Sequence, residues 1–159
     1  MYKILLICMG NICRSPLAQA VLQHRLSAQG LLDQILLDSA GTHGQFHAGE
    51  APDPRVQTVA LRSGYRQISQ LRARAVELAD FDKFDLILAM DRQNLAHLKT
   101  MRPDNCRAEL RLFLSFAPAL AIEELPDPYY GDMAGFERTL QLCEAAVAGL
   151  LLACSNKLR

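Results

Sequence analysis

Four apolar residues, Ile4-Leu5-Leu6-Ile7, are followed almost at once by Gly10, Asn11, Arg14 and the pair Ser15-Pro16, and this leaves little choice of local fold. The apolar run reads as a strand buried on both faces. Pro16 sits where a helix accepts proline best, and Ser15 is a residue type that caps one. An apolar pattern of helical period continues from Leu17 to about Gln29. The chain therefore turns from strand into helix across Cys8-Met9-Gly10-Asn11-Ile12-Cys13-Arg14.

Such a turn builds an anion site. The first N–H groups of a helix lack partners, and the helix dipole adds positive charge there. A loop wrapped around the same point aims further N–H groups at it. Gly10 is expected to supply a backbone conformation closed to other residues, and Asn11 to tolerate left-handed geometry while its amide braces the loop. Arg14 offers a planar fork that matches two phosphate oxygens at once. Cys8 lies beneath. A thiol pKa of about 8.5 falls to roughly 3.5–7.5 in such surroundings, so Cys8 is expected as a thiolate able to attack phosphorus and form a phosphocysteine. Ser15 can donate a hydrogen bond to the sulfur when it leaves.

A phosphate ester of tyrosine also needs an acid, because its phenol has a pKa of about 10. The candidate lies far downstream, in Glu124-Leu125-Pro126-Asp127-Pro128-Tyr129-Tyr130-Gly131. Prolines on both sides hold Asp127 in an extended, stiff segment. Tyr129 and Tyr130 can wall a cleft and stack on a flat ring.

These two segments together resemble the low-molecular-weight protein tyrosine phosphatases of bacterial type. The likeness extends in order through Asp38-Ser39-Ala40-Gly41-Thr42, Pro52-Asp53-Pro54-Arg55, Arg72-Ala73-Arg74 and Met90-Asp91. The resemblance implies metal-independent hydrolysis of phosphotyrosine without a cofactor. It implies Cys8 as nucleophile, Arg14 as phosphate clamp and Asp127 as acid and then base. Asn11, Ser15 and Ser39 become loop supports, and Met9, Ile12, Tyr129 and Tyr130 line the mouth, with Gly10 and Cys13 completing the loop. It further implies that Cys13 can trap an oxidised Cys8 as a disulfide. The substrate is then a phosphotyrosine protein, with a bacterial tyrosine kinase as a candidate.

The chain departs from that family twice. Leu71 stands where members often carry a histidine that braces the loop, which leaves Asn11 to Ser39. No tryptophan is present for the cleft wall, so Phe46 or His47 is expected there. Thiol-dependent arsenate reduction is an alternative, but it needs further cysteines, and 90–101 contains none. Arginine phosphatases of the same fold typically carry threonine where Ile12 stands, and an apolar Ile12 suits an aromatic ring. A binding module would need neither Cys8 nor Asp127.

The rest of the chain agrees with one phosphatase domain over 1–159. Half of the residues are apolar, enough for a core, and 17 basic residues balance 17 acidic ones. That balance gives no general attraction to nucleic acid. The last apolar run, Ala145 to Cys154, falls short of spanning a membrane, and a cytoplasmic protein is expected. Five cysteines without metal-ligand pairing argue against a disulfide framework and against a metal site; Cys106, Cys143 and Cys154 read as buried small residues. Strands are expected at 3–8, 34–38, 84–90 and 110–114. Helices are expected at 16–29, 54–63, 91–101 and 133–154, with a short one after Ala75. Asp91 is expected to cap the third of these long helices. The alternation predicts an α/β three-layer sandwich with a four-stranded parallel sheet of order 2-1-3-4 and the phosphate-binding loop after strand 1.

Overall fold

The computed structural model describes residues 1–158. Its strands are β1 (Tyr2–Cys8), β2 (Ile35–Gly41), β3 (Leu86–Ala89) and β4 (Glu109–Leu112); its helices are α1 (Arg14–Ala28), α2 (Pro54–Arg62), α3 (Asp80–Lys83), α4 (Arg92–Met101) and α5 (Met133–Cys154). The four strands form one parallel sheet in the order β2-β1-β3-β4, as expected.

The period of two along β1 explains the three layers. Ile4 and Leu6 pack with the helical face that contains Leu17, Val21, Val147 and Leu150. Leu5 and Ile7 point the other way, against Phe81, Phe84 and Leu98. Both faces of β1 are thus dry, and residues 4–7 are wholly buried. Helices α1, α2 and α5 cover one face, while α4 lies against β3 and β4 on the other.

Two boundaries beside the loop after β1 differ from expectation. β2 runs on to Gly41 because Leu5, Leu6, Ile7 and Cys8 pair with Asp38, Ser39, Ala40 and Gly41. Helix α1 begins at Arg14, with Cys13 at the cap position and no side-chain cap. Ser15 is therefore inside the first turn rather than capping it. Helix α5 has the expected bounds, and at 22 residues it is long and apolar enough by length and composition to cross a membrane, which the shorter apolar run Ala145 to Cys154 is not. It lays Phe136, Leu140, Cys143, Val147 and Leu150 into the core shared with α1.

Cys143 and Cys154 are buried as expected. Cys106 is not: it is half-exposed, and its sulfur accepts a hydrogen bond from Arg102 Nε at 2.9 Å.

Candidate active site

The loop after β1 is held by its carbonyls. Cys8, Met9 and Ile12 accept from the N–H groups of Thr42, His43 and Asp53 at 2.8–2.9 Å. Among the described residues, the N–H groups of residues 9–13 find no protein acceptor. They remain as donors around a cleft of about 210 Å³. Cys8, Arg14, Asp127, Ile12, Tyr129 and His47 are among its walls.

Gly10 does not adopt left-handed geometry; only Asn11 in this loop does, with φ 58°. A Cβ at position 10 would lie 3.1 Å from the His47 ring, a tight contact that the ring would have to relieve by shifting.

Arg14 is 3% exposed. Its Nη1 donates to Asp91 Oδ2 at 2.7 Å and to the Leu125 carbonyl at 2.9 Å. Both Nη1 hydrogens are thus committed, and the Nε–Nη2 edge is left as a two-toothed donor. Nη2 stands 3.6 Å from Asp127 Oδ2, an ion-pair distance too long for a hydrogen bond. Burial opposes the guanidinium charge, but Cys8, Asp91 and Asp127 outweigh it and raise its pKa.

A directed chain of hydrogen bonds supports the sulfur. The Arg74 main-chain N–H donates to Asn11 Oδ1 at 3.0 Å, which fixes which way the amide faces. Asn11 Nδ2 then donates to Ser15 Oγ at 2.8 Å and to Ser39 Oγ at 3.0 Å. Ser39 passes its own hydrogen to Gln19 Oε1 at 2.5 Å. Because Ser15 accepts from Asn11, its hydrogen is free for Cys8 Sγ, 3.0 Å away.

Asn11 is therefore held by Ser15 and by the Arg74 backbone as well as by Ser39. Arg74 is itself pinned by Asp38 and Asp80, with Nη1 donating to Asp80 Oδ2 at 2.9 Å and Nε to Asp38 Oδ2 at 3.1 Å. Leu71, in place of a bracing histidine, only packs against the core.

Asp127 is partly exposed, and its Oδ1 accepts the Tyr129 N–H at 3.1 Å, which turns Oδ2 toward Arg14. Arg55 lies over the rings of Tyr129 and Phe136, at 5.4 and 4.5 Å, while gripping Asp53 with two hydrogen bonds. Tyr129 meets Tyr130 edge-on at 4.9 Å, and Tyr130 extends into solvent at the mouth. Of the two candidates for the remaining wall, His47 lines the cleft; Phe46 is 72% exposed and stacks on His43 instead. Met9 is exposed at the rim. Cys13 is buried, and burial, then the charges of Asp53 and Cys8, push its thiol far up, so it stays neutral.

Sequence reasoning missed Gln19 altogether and saw only half of Asp91. Besides capping α4 through the Asn94 N–H at 2.8 Å, Asp91 holds Arg14 with its other oxygen.

A family model described as low molecular weight phosphotyrosine protein phosphatase matches residues 3–159. The low molecular weight protein-tyrosine-phosphatase of Streptomyces coelicolor is 42% identical over 155 residues, covering 96% of this chain and 93% of that one. The crystal structure of a protein tyrosine phosphatase from Entamoeba histolytica superposes with a TM-score of 0.92 at 34% identity, over 99% of each chain. The Drosophila arginine phosphatase superposes at 0.87 with 29% identity, over 96% of this chain and 97% of that one.

Proposed function

The chain belongs to the low molecular weight phosphotyrosine protein phosphatases, and from that membership we propose how its residues divide the work of hydrolysing phosphotyrosine. The observation that carries the reading is convergence: Cys8, Arg14 and Asp127, more than a hundred residues apart at the extremes, wall one cleft.

The phosphate dianion sits on the loop N–H groups with the Nε–Nη2 edge of Arg14 across two of its oxygens. Ile12, His47 and Tyr129 flank the phenyl ring. The Cys8 thiolate attacks phosphorus in line, an S–P bond forms, and the ester P–O bond breaks. Asp127, protonated, gives its proton to the departing phenolate oxygen. The phenol leaves and water takes its place. Asp127, now a carboxylate, removes a proton as water attacks the phosphocysteine, and the S–P bond breaks. The Ser15 hydroxyl, directed by Asn11, donates to the returning thiolate. Inorganic phosphate is released.

Peroxide would convert the Cys8 thiolate to a sulfenic acid and release hydroxide. Cys13 would then form the disulfide as water departs, a step slowed by its neutral thiol. We place the enzyme in the cytoplasm as one domain over 1–159, acting on phosphotyrosine proteins, with a bacterial tyrosine kinase as the candidate partner.

The test is phosphate release from a phosphotyrosine peptide in excess chelator. Turnover by the wild type, none by Cys8→Ser and a loss of roughly 10²–10⁴-fold with Asp127→Asn are expected. Undiminished turnover by Cys8→Ser would overturn the assignment.

A further inference from the structure

The catalytic cleft does not end at Asp127. That residue also walls a second hollow, of about 400 Å³, with Asp91, Gln93, Glu124 and Pro126. Glu124 in turn walls a third, of about 660 Å³, with Leu112, Ser115, Pro118, Ile122 and Glu123. The three follow the strand order. Cys8 ends β1, Asp91 follows the end of β3, and Leu112 ends β4, so the trough runs along the carboxyl edge of the sheet. Ligands of parallel α/β sheets bind along this edge.

The span and the chemistry select an occupant. Two strand spacings of about 4.8 Å separate β1 from β4, roughly 10 Å in all. An extended polypeptide advances about 3.3–3.6 Å per residue, so three residues cover the distance. The far hollow has aliphatic walls, Leu112, Pro118 and Ile122, beneath a rim that carries Glu123 and Glu124. Of the two cations nearby, Arg92 is paired with Glu123, and Arg111 donates to Ser115 Oγ at 3.1 Å while lying over the Phe116 ring. Glu124 accepts the Arg92 main-chain N–H with Oε1 at 2.9 Å, which leaves Oε2 for a ligand. An aliphatic wall under a carboxylate suits a long basic side chain, whose methylenes pack while its cation pairs.

We propose that this trough is a substrate subsite for the polypeptide flanking the phosphotyrosine, with a Lys or Arg three residues away seated in the hollow at the end of β4. The inference rests on the assignment of the Cys8 cleft to the phosphotyrosine.

The experiment compares kcat/KM for alanine-rich phosphotyrosine peptides carrying one Lys, Ala or Glu at the third position on either side. The enzymes are the wild type and a Glu123→Gln/Glu124→Gln double variant, with p-nitrophenyl phosphate as a control without flanks. The Glu124→Gln change keeps an acceptor for the Arg92 N–H, so the fold and the control rate are expected to hold. A preference for Lys over Glu of about fivefold on one flank is expected, as for partly exposed ion pairs, and it disappears in the double variant. Equal rates for Lys, Ala and Glu on both flanks would overturn the subsite, as would a preference that survives in the double variant. A wild type that hydrolyses no p-nitrophenyl phosphate would overturn the cleft assignment itself and the subsite with it.

Discussion

Asp91 Oδ2 lies 2.7 Å from Arg14 Nη1, and the other oxygen of the same carboxylate closes the start of α4. One side chain thereby ties Arg14 to the segment that follows β3. Asp91→Asn keeps an acceptor for the helix cap but removes the charge that orients Arg14. A charge-assisted hydrogen bond contributes about 1.5–3 kcal/mol, so kcat/KM should fall roughly 10–100-fold, and the melting temperature should fall as well, because the new amide NH2 faces the buried guanidinium. Steady-state kinetics beside a melting curve checks both. An unchanged kcat/KM would mean that Leu125 alone positions Arg14.

Gln19 closes the directed chain behind Cys8. Gln19→Met keeps the volume and removes the acceptor for the Ser39 hydrogen. A buried donor left without a partner costs about 1–3 kcal/mol. We expect lower stability by that amount, and a kcat reduced several-fold at constant KM, because the chain acts on the sulfur and not on the substrate. Gln19→Glu restores an acceptor and should recover part of kcat at a pH where the carboxylate is ionised. A rise in KM alone would contradict the role.

Tyr65 supplies a pH signature distant from the cleft. It is buried, with its hydroxyl donating to Glu144 Oε2 at 2.7 Å. Burial first, and then the Glu144 hydrogen bond and charge, push its pKa from 10.0 up to about 12. The folded state favours the neutral phenol, so this contribution is fully present below about pH 10 and is lost as pH rises from 10 towards 12. Denaturation midpoints measured between pH 9 and 12 should fall more steeply for the wild type than for Tyr65→Phe. Parallel curves would refute the assignment.

These contacts also mark what can be read from the sequence. The β1 strand, the loop, the helix after it and the Asp127 segment are legible because each signal is local: an apolar run, a turn residue, a proline. The sheet order follows from the alternation of strands and helices. The relay is not legible, since Gln19 reaches Ser39 twenty residues on and the Arg74 backbone reaches Asn11 from 63 residues away. No periodicity encodes such pairs. Ser15 has the residue type of a cap, yet α1 starts one residue earlier and the hydroxyl is drawn to Cys8. Gly10 suggests backbone freedom, yet its φ is not positive, and the left-handed turn of the loop falls on Asn11 instead.

The central claim is that phosphate passes through Cys8 Sγ. An aryl phosphate with an acidic leaving group needs little help from Asp127 to form the phosphocysteine, but its hydrolysis still needs a base. Asp127→Ala mixed with radiolabelled p-nitrophenyl phosphate and quenched within milliseconds should therefore accumulate label approaching one per chain, on the peptide that contains Cys8. Continued turnover with label on another residue, or with none bound to the protein, would contradict the account.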